Sequence, residues 1–186
     1  MRRIAFLAAL LAPLPALAHP GGEHVHGLVA GFAHPFSGVD HLAAMIAVGL
    51  WAGLLGGTAR LLLPAAFLVG MLLGGGVGMF EAGLPMIETG ILTSIVVLGA
   101  LTCLAARVPL PAGMAMVAVF GALHGHAHGA EMASDAAAYA VGMLAATALL
   151  HGLGVVLASA SGEGYRVALR MAGGLASMAA LVVAFV

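Results

Sequence analysis

Histidines are the residues in this sequence best suited to chemistry: there are nine of them, against seven carboxylates. In the stretch GFAHPFSGVDHL, His34, Asp40 and His41 stand at the head of a long apolar run. An ionisable side chain inside a membrane costs several kcal/mol unless it is paired or faces a cavity, so these residues are functional candidates. Because imidazole and carboxylate together suit borderline divalent metals, the stretch predicts a transition-metal site.

Pro35 and Gly38 decide how these side chains can meet. On an ideal helix His34 and His41 share a face, whereas Asp40 points away from them. A proline and a glycine favour a broken or unwound backbone, and transporters often place ion sites at such breaks. We expect a break that lets all three side chains converge. The alternative is a histidine pair that only hydrogen-bonds neighbouring helices.

A second cluster, LHGHAHGAE, ends at Glu131. His124, His128 and Glu131 follow an i, i+4, i+7 spacing and share one helical stripe, which Asp135 continues. This spacing suits chelation of Zn, Ni or Co, although a polar surface loop is the alternative. His126 lies on the opposite side of the wheel, so we expect it at the outer mouth or the lipid interface.

Three further residues are candidate ligands outside the two clusters. His151 lies in ALLHGLG, deep in an apolar stretch, and either helps to bind an ion or is hydrogen-bonded within the bundle. Glu88 opens another apolar stretch and is either a boundary residue or a gate acid. His19 becomes the first residue if a leader is removed, and its amine and imidazole can then chelate one ion.

The composition places these residues in a bilayer. The chain is 63% hydrophobic and only 7% charged, whereas soluble domains run near a quarter charged. A net charge of −1 argues against nucleic acid as a partner. With no lysine there is no ATP-binding P-loop, and a single cysteine excludes a multi-thiolate metal site.

The N-terminus is typical of a secretory signal peptide. Arg2 and Arg3 precede an apolar run that ends in Ala16-Leu17-Ala18, which predicts a signal peptide over residues 1–18, cleaved after Ala18. An uncleaved first span is the alternative, but the run is short and contains two prolines. The rest of the chain, residues 19–186, is predicted to form a single transmembrane domain.

That domain is predicted to be all-α, a polytopic membrane helix bundle with six transmembrane helices. Each apolar stretch is long enough for a bilayer and lacks the two-residue alternation of membrane barrels. The predicted spans are 33–56, 61–80, 88–106, 111–130, 136–158 and 166–186.

The arginines predict the orientation of this bundle. With the mature N-terminus outside, the arginines that follow the signal peptide all fall on one side, as the positive-inside rule requires of the cytoplasmic face. These arginines are Arg60, Arg107, Arg166 and Arg170. Most carboxylates fall on the outer side, where they would raise the local concentration of cations.

The two histidine motifs resemble those of a known family. HPFSGVDH resembles the HPxxGxDH signature of the HupE/UreJ family, LHGHAHGAE resembles its HGxAHGxE motif, and HGLG is similar to its later HGxG element. The resemblance covers essentially the whole chain. It implies a secondary nickel/cobalt permease of the bacterial inner membrane, linked to hydrogenase or urease maturation. The ligand roles it implies fall on His34, Asp40, His41, His124, His128 and Glu131.

Four classes of function remain in competition. The first is a transporter that imports Ni²⁺ or Co²⁺ as a transported ligand, with no prosthetic group; Zn²⁺ also fits the ligands. The second is a non-transporting membrane metal-binding protein: a sensor, metallochaperone or partner subunit. An enzyme is disfavoured because no H-E-x-x-H helix or histidine-paired nucleophile occurs, and a haem protein fits the acidic residues poorly. The architecture is compatible with a homo-oligomer.

Overall fold

A computed structural model describes residues 27–80, 86–129, 135–160 and 162–185. Within these ranges the chain is helical, with no strand. The predicted signal peptide, His19 and Glu131 lie outside the described residues. The helices are α1 (Leu28–Ala33), a short 3₁₀ turn (His34–Phe36), α2 (Val39–Leu55), α3 (Ala59–Gly78), α4 (Ile87–Leu104), α5 (Leu110–Gly129), α6 (Ala136–Ala160) and α7 (Glu163–Phe185).

Helices α3 to α7 are each long and apolar enough to cross a membrane. The first predicted span is instead a bent pair, in which Leu28–Phe36 and Val39–Leu55 meet at 84°. If that pair is counted as one span, the described residues contain six spans, the number predicted from the sequence; without it they contain five. The all-helical, multi-pass prediction is confirmed.

Glycines set the distance between α3 and α5. A side chain at Gly74 would overlap the backbone of Ala122, and one at Gly125 would overlap the backbone of Met71. Helices of a membrane bundle gain stability from such close packing because lipid gives them no hydrophobic reason to associate. The backbones of α3 and α5 are therefore in close contact along the length of the two helices.

The broken first span packs against α6 through the same arrangement. The close glycine–backbone contacts are Gly49 on His151 and Gly154 on Ile46 in this pair, and Gly121 on Phe67 and Gly70 on Ala118 in the α5–α3 pair. The spacing of these contacts is the same in both pairs: on each helix, the glycine comes three residues after the residue whose backbone the partner's glycine touches. If the broken first span is counted as span 1, the pairs join span 1 to span 5 and span 4 to span 2. This is the pairing expected for two inverted repeats of three helices. Helices α4 and α7 form a third close pair, where Gly99 meets Gly173.

Arginine side chains tie α7 to the ends of other helices. Arg170 Nε donates to the Cys103 carbonyl at 2.7 Å, and Arg166 Nη2 lies 3.4 Å from the Leu54 carbonyl. These carbonyls belong to the last turns of α4 and α2, where cations are stabilised by the helix dipole. The opposite end of the bundle carries the break in the first span, and the histidines of that break lie there.

Candidate metal site

The candidate site begins at the break between α1 and α2. Pro35 lies in the first positions of the 3₁₀ turn, where a backbone amide hydrogen would have no partner within the turn, so the missing hydrogen costs no bond. Ser37 ends the turn by donating both its amide and its hydroxyl to the His34 carbonyl, at 3.0 and 2.7 Å. Gly38 is extended, and α2 then starts at Val39. The sharp turn brings the rings of His34 and His41 to 5.8 Å between centroids, as the sequence predicted.

Three histidines meet at this point, and we call them the triad: His34, His41 and His128. One ring nitrogen from each lies within 4.8 Å of the other two, and His41 Nε2 is 2.6 Å from His128 Nε2. A metal ion about 2.1 Å from each imidazole nitrogen allows the nitrogens to be about 4.2 Å apart at most. Small ring movements would therefore be enough to hold an ion.

Asp40 lies behind the triad. Its Oδ1 is 2.9 Å from His41 Nδ1, whereas His41 Nε2 faces His128. His41 is 12% exposed and Asp40 is 43% exposed. A carboxylate in this position orients a ligating histidine and raises its basicity without touching the ion. Asp40 thus lies next to His41 and outside the group of three nitrogens that could hold an ion, and its role as a direct ligand stays a prediction.

His124 and His151 continue inward from the triad. The His41 and His124 ring centroids are 5.5 Å apart, and both His124 and His151 contact the Phe67 ring, at 5.5 and 5.0 Å. The two inner histidines are 0% and 1% exposed. His151 lies well inside α6, whereas His128 lies in the last turn of α5, so His151 is deeper in the bundle than the triad, as predicted.

The hydrogen bonds of the inner histidines fix which nitrogen is available. His124 Nδ1 donates to the Phe120 carbonyl at 2.9 Å and His151 Nδ1 donates to the Met45 carbonyl at 2.7 Å. The Nε2 atom of each ring is buried and has no hydrogen-bond partner among the described residues. A neutral imidazole that donates through one nitrogen and keeps the other unprotonated has the form of a metal ligand.

Two placements from the sequence are wrong. His126 is 3% exposed, so it does not face lipid or the outer mouth; neighbouring helices cover the opposite face of α5 as well. Asp135 does not continue the histidine stripe, because α5 ends at Gly129 and Asp135 has a left-handed backbone (φ 79°) just before α6. Glu88 is exposed in the first turn of α4, outside the triad.

Three neighbours of the histidines were not identified from the sequence. Tyr139 stacks edge-on against His34 at 5.9 Å, and Phe67 contacts both inner histidines. Both are indistinguishable in sequence from core aromatic residues. Thr147 Oγ1 donates to the Met45 sulfur at 3.3 Å. Thr147 carried a usable signal, because it is a polar residue in an apolar stretch, one helical turn before His151.

Comparison with known proteins agrees with the motifs. The family model described as HupE / UreJ protein matches residues 7–183. The chain belongs to the HupE/UreJ family. A relative called Protein HupE, from Rhizobium leguminosarum bv. viciae, is 45% identical over 147 residues, which cover 78% of this chain and 76% of the relative. No solved structure matches this chain.

All the candidate ligands lie within the residues that the HupE/UreJ family model matches. The match covers both histidine motifs and runs into α7, so it supports the whole bundle rather than a fragment of it. The resemblance stated from HPFSGVDH is confirmed. This HupE/UreJ protein is a multi-pass membrane protein with a histidine cluster able to hold a metal ion.

Proposed function

We propose that this chain is a secondary transporter that imports Ni²⁺ or Co²⁺ across the bacterial inner membrane. The observation that carries the proposal is the triad, which gathers three imidazoles from two separate spans inside an apolar bundle. Imidazole is a good ligand for both metals. Buried histidines in a membrane interior mark ion pathways when they face a cavity or one another.

The order of the histidines supports a path rather than a single binding site. The triad lies at the end of the bundle away from the arginines, His124 lies next to it, and His151 lies beyond Phe67. Each inner ring offers a buried Nε2 without a hydrogen-bond partner among the described residues. An ion leaving the triad thus meets further nitrogen ligands on its way inward.

The charges at the two ends support import. The arginine end is the cytoplasmic end under the positive-inside rule, so the triad lies toward the outside. An inside-negative potential favours inward movement of a divalent cation by about 4.6 kcal/mol per 100 mV, twice the value for one charge. His19, Glu88 and Glu131 would concentrate or bind the ion at the outer end, and the metal would supply nickel enzymes such as hydrogenase or urease.

Flux measurement in proteoliposomes tests this proposal. We expect radioactive nickel or cobalt to accumulate when the potential is negative inside, and His128→Ala to reduce the initial rate at least tenfold. His126→Gln is the matched control, because His126 lies two residues away on the same helix but outside the triad. Absence of uptake by folded wild-type protein would overturn the proposal.

The same measurement separates transport from simple binding. A non-transporting sensor, metallochaperone or partner subunit would bind metal at equilibrium through the triad and show no accumulation inside the liposomes. Binding without flux would therefore favour that second class of function.

A further inference from the structure

We infer that the histidine site opens and closes by movement of two rigid helix pairs, one on each side of it. The first pair is the broken first span with α6, and the second is α3 with α5. We call the boundary between the two pairs the seam. This inference rests on the proposed transport function and adds to it the moving parts.

Rigidity within each pair follows from its contacts. Some described glycines lie so close to another helix that an added side chain would overlap its backbone. In every such case the two helices belong to one close pair; examples are the contact of Gly31 with Tyr139 and that of Gly129 with Gly75. Backbone seated in a glycine notch cannot slide without losing the fit. Packed interiors respond to strain by switching between arrangements rather than by deforming continuously.

Contacts across the seam are of a different kind. They join side chains, as between Phe67 and His151 or between Thr147 Oγ1 and the Met71 sulfur at 3.9 Å. A cavity of about 270 Å³, open to the surface of the bundle, also lies on the seam between α3 and α6, and Met71, Met79 and Met143 are among its lining residues. Flexible methionines beside this opening can repack when the two pairs move.

The metal ligands are divided between the two pairs. His34 and His41 belong to the first pair, and so does His151, which lies on α6. His124 and His128 belong to the second pair, because both lie on α5. Opening of the seam at the outer end would separate His41 from His128, which are now 2.6 Å apart at their Nε2 atoms. An ion bound by the triad bridges the pairs and favours the closed arrangement, since ligands shift populations by differential affinity.

Cysteine cross-linking across the seam tests this inference. In a Cys103→Ala background, Leu72→Cys with Ala140→Cys places two thiols on opposite walls of the cavity. Leu73→Cys with Ala122→Cys is the matched control within one pair, since Gly74, next to Leu73, touches Ala122. Both pairs are treated with the same short reducible bifunctional thiol reagent.

We expect the seam cross-link to reduce metal uptake at least tenfold, with recovery on reduction and with equilibrium metal binding retained. The control cross-link should leave uptake within twofold of the untreated protein. Equal inhibition by both cross-links, or by neither, would overturn the inference.

A second readout does not depend on transport. Added Co²⁺ should change the rate of cross-link formation at least threefold across the seam and less than 1.5-fold within the pair. Equal rates with and without the ion, in protein that binds it, contradict the inference. Loss of uptake by the untreated parent would instead count against the proposed function alone.

Discussion

His41 is the residue on which the site depends most directly. It contacts His34 and His128 on one side and Asp40 on the other. The imidazole therefore stands between an exposed carboxylate and the other two histidines of the triad. We propose that Asp40 acts on a bound ion through the histidine that it orients, as carboxylates behind metal-bound imidazoles do.

Replacing Asp40 tests this division of roles. Asp40→Asn is expected to weaken metal binding about 10- to 100-fold, because His41 keeps its place but loses its negatively charged neighbour. His41→Ala removes a ligand and should weaken binding further. Titration calorimetry with Co²⁺ in detergent measures both. A loss for Asp40→Asn equal to that for His41→Ala would show that Asp40 binds the ion itself.

Gly38 provides a second test at the same site. Its backbone is extended (φ −110°), so alanine fits the conformation, but a Cβ would lie 2.5 Å from Asp40 Oδ1 and 3.1 Å from His41 Nδ1. Gly38→Ala should therefore push Asp40 aside and lower metal affinity about tenfold, within the range for lost supporting groups. Gly152→Ala is the control, since its Cβ meets open space. Comparable losses in both variants would contradict this explanation.

At the scale of elements, the sequence was informative about local breaks and less so about partners. Pro35 and Gly38 predicted that the first span would be interrupted, because each opposes a continuous helix, but they do not determine the 84° angle. The sequence does not say which helices meet at Gly74 and Gly125, because a glycine has no side chain that indicates its partner. His126 was misplaced because a helical wheel describes one helix and not the neighbours that cover it.

The helix pairing predicts a sharp difference between two glycines. Gly125→Leu places a side chain against the backbone of α3, whereas Gly152→Leu extends into open space. Overpacking costs about 1–3 kcal/mol and more when backbone must move. We expect Gly125→Leu to lower the midpoint of thermal unfolding in detergent by several degrees at least, and Gly152→Leu to leave it nearly unchanged. Equal midpoints would mean that α3 and α5 are not in this close contact.

At the scale of the whole molecule, charge is divided between the two ends. Arg60, Arg107, Arg166 and Arg170 lie in or beside the connections at one end. The triad, Glu88 and Asp135 lie at the other. This asymmetry could be read directly from the sequence, because it depends only on which connections contain arginine. The signal peptide and the orientation remain predictions.

Reporter fusions test the orientation and the number of spans together. With the N-terminus outside and six spans, alkaline phosphatase fused after Thr58 should be inactive and the same reporter fused after residue 186 should be active. The two sites serve as controls for each other. Activity after Thr58 together with inactivity after residue 186 would show that the bent pair does not cross the membrane or that the chain is oriented differently.

The proposed transport function depends on His34, His41 and His128 holding the ion together. X-ray absorption spectroscopy of bound Co²⁺ tests it most directly, because the spectrum reports how many imidazoles coordinate the metal. We predict at least three imidazole nitrogens near 2.1 Å in the wild-type protein and one fewer in His128→Gln. A coordination shell unchanged by His128→Gln would contradict the claim.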